Sequence, residues 1–267
     1  MRVISLGWGV QSFGLAAMSA LGVLPPVDAA VHADTGHERR ETYEFAARWT
    51  PWLEERGVRV VTVRCPDNNV IRPWGNRGGI MIPAHLSWPD GKPSGLSRRQ
   101  CTREWKIRPM RRWGANELKR RGLQKIPGVI EKWLGITLDE VERMRSSSGV
   151  KYVTLKYPFI EMLDRHWKRS DVIRWLQEND LEIPVKSACI FCPYRDRSAW
   201  REIQLSGNGD WEKALEVDRV IRDKWPGYKC YLTAQRKPLD QCDFRSQEDH
   251  GQLAMWDMEE CSGMCFL

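Results

Sequence analysis

Apolar runs and amphipathic stretches alternate along the N-terminal part of the chain. Three short apolar runs predict strands at 2–6, 27–33 and 58–63. The stretches between them, 12–21 and 41–57, repeat apolar residues at a helical spacing and predict helices. A strand–helix–strand–helix–strand order is joined by right-handed crossovers, so the pattern predicts an α/β fold built on a parallel sheet.

The rest of the chain carries a less regular pattern. Glycine and proline are frequent at 64–100, which predicts loops. The helix expected at 169–180 would take Ser170 as its N-cap, and the one expected at 102–122 would break at Pro109. The remaining expected elements are a strand at 128–136 and helices at 138–145 and 209–225.

A glycine-containing loop, GWGVQS at 7–12, separates the first predicted strand from the first predicted helix. Ligands of open parallel sheets bind beyond the carboxyl ends of the strands, and glycine amides with a helix N-terminus can hold an anion. Ser12 could cap the helix or donate to a phosphate. The loop lacks the G-x-G-x-x-G spacing and the Walker lysine, so neither a standard dinucleotide fold nor a P-loop NTPase is indicated. It is therefore either a plain strand-to-helix turn or an anion cradle.

A second polar motif, Asp34-Thr35-Gly36, follows the second predicted strand. Because parallel strands end at the same edge of the sheet, we expect this motif to line the same crevice as the glycine loop. Asp34 could bind a nucleotide hydroxyl or a metal ion there. An Asx-turn or a helix cap is the alternative role for this residue.

Positive charge is concentrated in one segment of the chain. The formal net charge is +7, and the segment 97–125 alone contains eleven Lys or Arg against two Glu. This concentration favours a polyanion such as DNA or RNA as a partner, and a solvated helix face is the alternative. Trp105 and Trp113 lie among these charges and could stack on bases or pack in the core.

The eight cysteines suit a metal or redox site. The sequence carries neither an apolar membrane span nor a secretory leader, so we expect a cytoplasmic protein with reduced thiols and no membrane partner. Cys189 and Cys192 have the two-residue gap that places two thiolates on one metal ion. Buried, inert thiols are the alternative, and we assign that role to Cys65, Cys230 and Cys242.

Together and in this order, the motifs resemble the phosphoadenosine phosphosulfate (PAPS) reductase-like family of the PP-loop, or N-type ATP pyrophosphatase, superfamily. The resemblance covers about residues 1–200, and its segments are SLGWGVQS (5–12), ADTGHE (33–38), RRQCTREWKIRPMRRW (98–113), GITLDEVERMR (135–145), YPFIEM (157–162), RSDVIRWL (169–176) and SACIFCPYR (187–195). The ATP-type loop of the superfamily has Gly where this chain has Trp8, and Asp where it has Gln11. The implied nucleotide is therefore either ATP or an adenylyl sulfate such as PAPS.

The resemblance implies an adenine nucleotide alpha hydrolase-like fold: an open, twisted, mainly parallel sheet with helices on both faces, as in Rossmann-like proteins. It implies a nucleotide-binding α/β domain over 1–165 and a helical extension carrying the late cysteines over 166–267. The residues implied to hold the nucleotide are Ser5, Gly7, Gly9, Gln11, Ser12, Asp34, Thr35, Gly36, Lys106, Gly135, Glu140 and Arg143. Asp34 and Arg143 would also take part in catalysis, with Arg145 as the alternative to Arg143 beside the nucleotide, and a magnesium ion could accompany the nucleotide.

A metal centre is implied as well. The cysteines that match [4Fe–4S] ligands of the family's adenylyl-sulfate reductases are Cys101, Cys189 and Cys192. Gln100 stands where those reductases have the first of two adjacent cysteines. One iron would stay open, or Cys265 or Cys261 would supply a fourth ligand; a zinc ion and free thiols are the alternatives. Cys261 also follows a glutamate, as the nucleophilic cysteine of PAPS reductases does.

Three functions follow as expectations. The first is an enzyme that uses ATP to adenylate an acceptor such as a nucleic acid, releases pyrophosphate and inserts sulfur from the cluster or a persulfide. The second is an adenylyl-sulfate reductase in which the Cys261 thiolate attacks the sulfonyl sulfur. The third is a non-catalytic nucleic-acid-binding or accessory protein on the same fold. A sulfur-donor protein would be a partner of the first, and the chain could act as a homodimer.

Overall fold

The computed structural model describes residues 1–74 and 77–245, so Cys261 and Cys265 lie outside the described residues. The strands are β1 (Arg2–Leu6), β2 (Ala29–Asp34), β3 (Val60–Arg64), β4 (Ile71–Trp74), β5 (Arg77–Ile80), β6 (His85–Ser87), β7 (Pro93–Leu96), β8 (Ile130–Trp133), β9 (Val153–Lys156) and β10 (Lys229–Tyr231). The α-helices are α1 (Val10–Ala20), α2 (Arg40–Glu55), α3 (Arg108–Arg120), α4 (Pro158–Glu161), α5 (Arg169–Glu178), α6 (Arg197–Leu205) and α7 (Asp210–Ile221). Within the described ranges, none of the helices combines the length and the apolar character that crossing a membrane requires.

Five strands form an all-parallel sheet in the order β3-β2-β1-β8-β9. The protein therefore has an α/β fold with a parallel sheet, as the alternation of apolar runs and helical stretches predicts. The ends of β1, β2 and β3 lie within two residues of the predicted strands. The strand predicted at 128–136 is confirmed as the shorter β8.

The order of the strands reverses between β1 and β8. The chain runs outward from β1 through β2 to β3 and then returns to place β8 on the other side of β1. The loops after β1 and β8 therefore leave the sheet side by side at its carboxyl edge. This reversal, the switch point, is where open α/β sheets bind their ligands.

Side chains of the sheet alternate between two apolar layers. The layer that includes residues of α1, α2 and α5 takes Ile4, Leu6, Ala30 and Trp133 from the strands. The layer that includes Leu118 of α3 takes Val3, Ala29, Val31 and Ile130. Helices α1 and α5 approach closely at Gly14, where a Cβ atom would lie 2.6 Å from Cγ1 of Val172. A side chain at position 14 would therefore force the two helices apart.

The described chain forms two compact units, each built from two segments. The first joins 1–65 to 105–187 and contains the parallel sheet, and the second joins 66–104 to the described residues from 188 onward. In the second unit, β10, β6 and β7 form an antiparallel sheet, and β4 pairs with β5. The predicted division into 1–165 and 166–267 stays a prediction.

Two predictions of local structure are wrong. Residues 64–100, expected to be loops, contain β4, β5, β6 and β7. Because several of these short strands contain glycine or proline, they lack the apolar alternation that reveals a strand. Ser170 does not cap α5, which begins at Arg169. The carboxylate of Asp171 instead accepts the Lys168 N–H at 2.8 Å, just before the helix.

The predicted break at Pro109 corresponds to a change of helix type. A π-helical segment at Thr102–Ile107 leads into α3, which carries Pro109 in its first turn. Proline lacks an N–H, and the first turn of an α-helix is where that donor is not needed. The chain therefore stays helical through the break but changes its hydrogen-bond pattern there.

Candidate functional site

The loop after β1 leads into a helix N-terminus that no side chain caps. Gly9 is the N-cap of α1, it receives no side-chain cap hydrogen bond, and the first turn contains no acidic residue. The first amides of a helix have no intrahelical acceptor and carry a partial positive charge. Of the two roles expected for Ser12, it does not cap α1, because its Oγ accepts from Gly7 N–H at 3.0 Å and donates to Gly9 O at 3.2 Å; donation to a phosphate stays a prediction. Ser12 thus closes the loop on itself.

The side chain of Trp8, in the turn after β1, does not occupy the space at the carboxyl edge of the sheet. The φ of Trp8 is 58°, in the left-handed region that bulky residues rarely adopt. The indole is only 2 % exposed, and its ring lies 6.2 Å from that of Phe45 and 6.4 Å from that of His32. Burial of a large aromatic side chain is a strong stabilising contribution, which offsets the strained backbone. The side chain is therefore in the core.

The loop after β8 packs against the first turn of α1 at Gly135. A Cβ atom at this position would lie 2.9 Å from the carbonyl carbon of Gln11 and 3.0 Å from the backbone nitrogen of Ser12. Real Cβ atoms do not approach a backbone this closely, so the contact requires glycine. The two predicted glycine motifs therefore meet at the switch point, beside the N-terminus of α1.

Three of the predicted nucleotide-binding side chains form one hydrogen-bonded group next to this contact. Gln11 Nε2 donates to Glu140 Oε2 at 3.3 Å, and an Arg143 guanidinium nitrogen lies 2.5 Å from Glu140 Oε1. Both Glu140 and Arg143 belong to a 3-10 turn at Leu138–Arg143. Burial raises the pKa of Glu140, although the positive charge of Arg143 opposes this shift. The ion pair with Glu140 therefore fixes the Arg143 guanidinium beside the start of α1.

Asp34, at the end of β2, accepts hydrogen bonds from three donors of the first unit. Its carboxylate accepts the Gly36 N–H at 2.7 Å, the Tyr43 hydroxyl at 2.9 Å and Arg64 Nε at 2.6 Å. Burial opposes ionisation, but the three donors together hold the pKa of Asp34 below its usual value. The contact with Gly36 is an Asx-turn, which is the structural alternative considered for this residue.

Glu38 is a central residue that the sequence did not single out. It is 4 % exposed, and its carboxylate lies 3.2 Å from Lys106 Nζ and accepts the Thr35 hydroxyl at 3.3 Å. Ser187 Oγ donates to it at 3.5 Å, and Ser187 also lies against Gly9. Lys106 and Thr35 are thereby joined to the neighbourhood of the glycine loop. The only signal in the sequence was the position of Glu38 within the ADTGHE motif after β2.

Ser5 lies at the same edge of the sheet but on the face covered by α3. Its hydroxyl donates to Met110 Sδ at 3.7 Å. The α1 face, with the glycine loop, and the α3 face, with Ser5, therefore flank the switch point from opposite sides. The structure brings the predicted nucleotide-binding residues into one unit, along one edge of its sheet.

Three of the predicted metal ligands, Cys101, Cys189 and Cys192, lie in the second unit. Cys192 N–H donates to Cys189 O at 3.0 Å, so the two cysteines share one turn. The guanidinium carbon of Arg99 lies 5.2 Å from the centre of the Tyr194 ring, which brings the segment before Cys101 next to the segment after Cys192. Among residues 1–74 and 77–245, no group of three His, Cys, Asp or Glu side chains is arranged to hold a metal ion. A cluster or zinc site that includes Cys265 stays a prediction.

The basic segment is partly neutralised by an acid within it. Glu117, 4 % exposed, accepts hydrogen bonds from Arg59, Arg120 and Arg121. Trp105 is fully buried, so its ring is closed to a base, and Trp113 is half-buried against the α3 layer of the core. Binding of DNA or RNA by 97–125 stays a prediction.

No protein-family model and no curated protein matches the chain. The resemblance to the PAPS reductase-like family therefore rests on the motifs themselves and on their order along the chain. The geometry adds that the glycine loop, Gly135 and the Glu140–Arg143 pair are neighbours in space.

Proposed function

We propose that the first unit binds an adenine nucleotide with its phosphates at the N-terminus of α1, as an enzyme of the PAPS reductase-like family. The observation that carries the proposal is the contact of Gly135 with Gln11 and Ser12 at the uncapped start of α1. Two glycine loops at a switch point leave backbone amides, and no bulky side chain, beside the place where a phosphate would bind.

The charges around the cradle suit a polyphosphate. Arg143 is held by Glu140, and Lys106 by Glu38, so each cation is fixed in position before a ligand binds. Gln11, a neutral amide where the ATP-type loop has a carboxylate, adds no negative charge near the phosphates. Asp34 already accepts three donors, so in this proposal it holds the turn after β2 rather than the nucleotide.

The reaction we propose is adenylation followed by sulfur insertion. An acceptor oxygen, for example on a nucleic acid, attacks the α-phosphorus of ATP, and the bond to the bridging oxygen of pyrophosphate breaks. The amides at α1 and the Arg143 side chain stabilise the negative charge that develops on the departing pyrophosphate. A sulfur nucleophile then displaces AMP from the activated acceptor. Sulfur at the sulfide level, brought by a sulfur-donor protein or held by a cluster that includes Cys265, would serve as that nucleophile, and the nucleotide steps do not depend on its source.

Gln11 favours one alternative, reduction of an adenylyl sulfate. There the Cys261 thiolate would attack the sulfonyl sulfur, the bond from sulfur to the phosphate oxygen would break, and the nucleotide would leave. A second thiol would then release sulfite from the resulting thiosulfonate and form a disulfide. Sulfite release from PAPS, abolished by Cys261→Ser, would identify this reaction.

Substitution of Arg143 tests the proposal. Arg143→Ala should weaken ATP binding by about tenfold or more, because it removes a charge-assisted contact to phosphate. Binding is measured by titration calorimetry, and pyrophosphate release is measured with and without added DNA or RNA. The matched control is Arg174→Ala on α5, whose side chain is 62 % exposed. Equal ATP affinity in the wild type and Arg143→Ala would remove Arg143 from the site, and wild-type protein that binds neither ATP nor PAPS would overturn the proposal.

A further inference from the structure

A lysine lies beside the switch point among neighbours that do not balance its charge. Lys132 is the penultimate residue of β8, and Ser5 is the penultimate residue of the adjacent strand β1. Lys132 Nζ and Ser5 Oγ each lie 3.7 Å from the same atom, Met110 Sδ. A cation and a hydroxyl therefore lie together on the α3 face of the sheet. Each is one residue before the end of its strand, close to the glycine-containing loops that follow β1 and β8.

The surroundings of Lys132 supply no counter-charge. Among the described residues, no carboxylate forms an ion pair with it, and its hydrogen-bond acceptor is the Met110 thioether, which accepts only weakly. The charged group that acts on it is Arg111 of α3, a second cation. Burial and the charge of Arg111 lower the pKa of Lys132 to about 8. An ammonium that has lost much of its water without gaining a partner is unfavourable, and a bound anion would relieve this cost.

Lys132 is nevertheless within reach of a ligand. The residue is half-buried, so part of its surface is open to solvent. It lies two residues before Leu134 and three before Gly135, the glycine that packs on the start of α1. Lys132 is therefore close to the carboxyl edge of the sheet, where α/β proteins bind their ligands.

We infer that Lys132, with Ser5 beside it, binds a phosphate or sulfate group of the nucleotide from the α3 side of the switch point. The inference rests on the proposed function, because it adds a second contact to a nucleotide whose other phosphates lie at α1. The Lys132 ammonium donates to the oxyanion, and the Ser5 hydroxyl can turn from the thioether to the same group.

Protection of the Lys132 amine tests this inference without an activity measurement. The full chain is treated with limiting acetic anhydride, and acetylation of each lysine is followed by mass spectrometry, with and without inorganic pyrophosphate, sulfate, ATP or PAPS. We expect at least about fivefold slower acetylation of Lys132 with a bound oxyanion, because the anion favours the protonated amine, which is not a nucleophile, and blocks access to it. Lys156 on β9 is the internal control, because it already lies 3.6 Å from Glu161.

Substitution completes the test. Lys132→Met should weaken ATP or PAPS binding about tenfold, whereas Lys156→Met should leave it unchanged. Circular dichroism establishes that both variants are folded, and the acetylation result stands by itself if Lys132→Met is not. The arms with ATP, PAPS and the inorganic ions distinguish which group carries the oxyanion.

The outcomes separate this inference from the proposed function. In one outcome ATP binds, Arg143→Ala weakens its binding, Lys132 is not protected from acetylation and Lys132→Met leaves ATP binding unchanged. The inference is then overturned and the proposed function stands. If pyrophosphate or sulfate protects Lys132 but no nucleotide binds, the oxyanion contact stands and the proposed function is overturned. If Lys132 is acetylated at the same rate under every condition and the chain binds no nucleotide, the inference and the proposed function are both overturned.

Discussion

At the scale of single residues, Trp8 combines a left-handed backbone with a buried side chain. The backbone conformation turns the chain sharply between β1 and α1, and the indole fills the α1 layer of the core. A glycine would adopt this conformation without strain but would leave the core unfilled. Trp8 therefore stabilises the first unit at the turn between β1 and α1.

Replacement of Trp8 should cost stability because it opens a cavity. We expect Trp8→Ala to lower the free energy of unfolding by about 3–5 kcal/mol, with the φ strain retained. Urea unfolding followed by circular dichroism measures the change. Trp88→Ala is the control, since Trp88 is 45 % exposed and its loss should matter far less. Similar destabilisation of both variants would contradict the role assigned to the Trp8 indole.

At the scale of secondary-structure elements, α3 is fastened by one buried acid. Glu117 accepts hydrogen bonds from Arg120, the last residue of α3, and from Arg121, which follows it. It also accepts one from Arg59, which precedes β3. Hydrogen bonds from Arg120 are the main reason why the pKa of Glu117 is lowered to about 2. The C-terminal end of α3 is thus joined to the residue before β3 by a carboxylate that stays ionised well into the acid range.

Neutralising Glu117 should therefore destabilise the protein in a pH-dependent way. Glu117→Gln should lower the free energy of unfolding at pH 7 by about 1–3 kcal/mol, because three arginines lose an ionised acceptor. The folded pKa lies below the ordinary value of 4.5, so the wild-type advantage is complete above that pH and is lost as the pH falls from 4.5 towards 2.

Urea unfolding at pH 7 and at pH 3 measures this difference. Glu182→Gln removes the exposed ion pair with Arg48 and serves as the control, with an expected cost below about 1 kcal/mol. A gap between the wild type and Glu117→Gln that widens as the pH falls would contradict the assignment.

At the scale of the whole molecule, the sequence predicts the frame of the parallel sheet and much of the candidate site. The alternation of apolar runs with helices predicts that the strands pair in parallel, because each helix serves as the crossover between two parallel strands. The glycines at 7, 9 and 135 could be singled out as motifs, but only the structure shows that Gly135 touches the start of α1. Their meeting depends on the reversal of strand order, which a local pattern does not encode.

The features that the sequence missed depend on contacts between distant segments. β6 and β7 pair through their backbones, so they carry little local pattern. Glu38 gains importance only through Lys106 and Ser187, far along the chain. Lys132 looks like any polar residue of a strand until its neighbours, Ser5 and Met110, are known.

The central claim is that an adenine nucleotide binds with its phosphates at the N-terminus of α1. A crystal structure of the full chain with a non-hydrolysable ATP analogue tests it most directly. We expect phosphate oxygens within hydrogen-bond distance of the backbone amides that follow Gly9, between the loops after β1 and β8. An analogue bound elsewhere, or this edge of the sheet left empty at a saturating concentration, would contradict it.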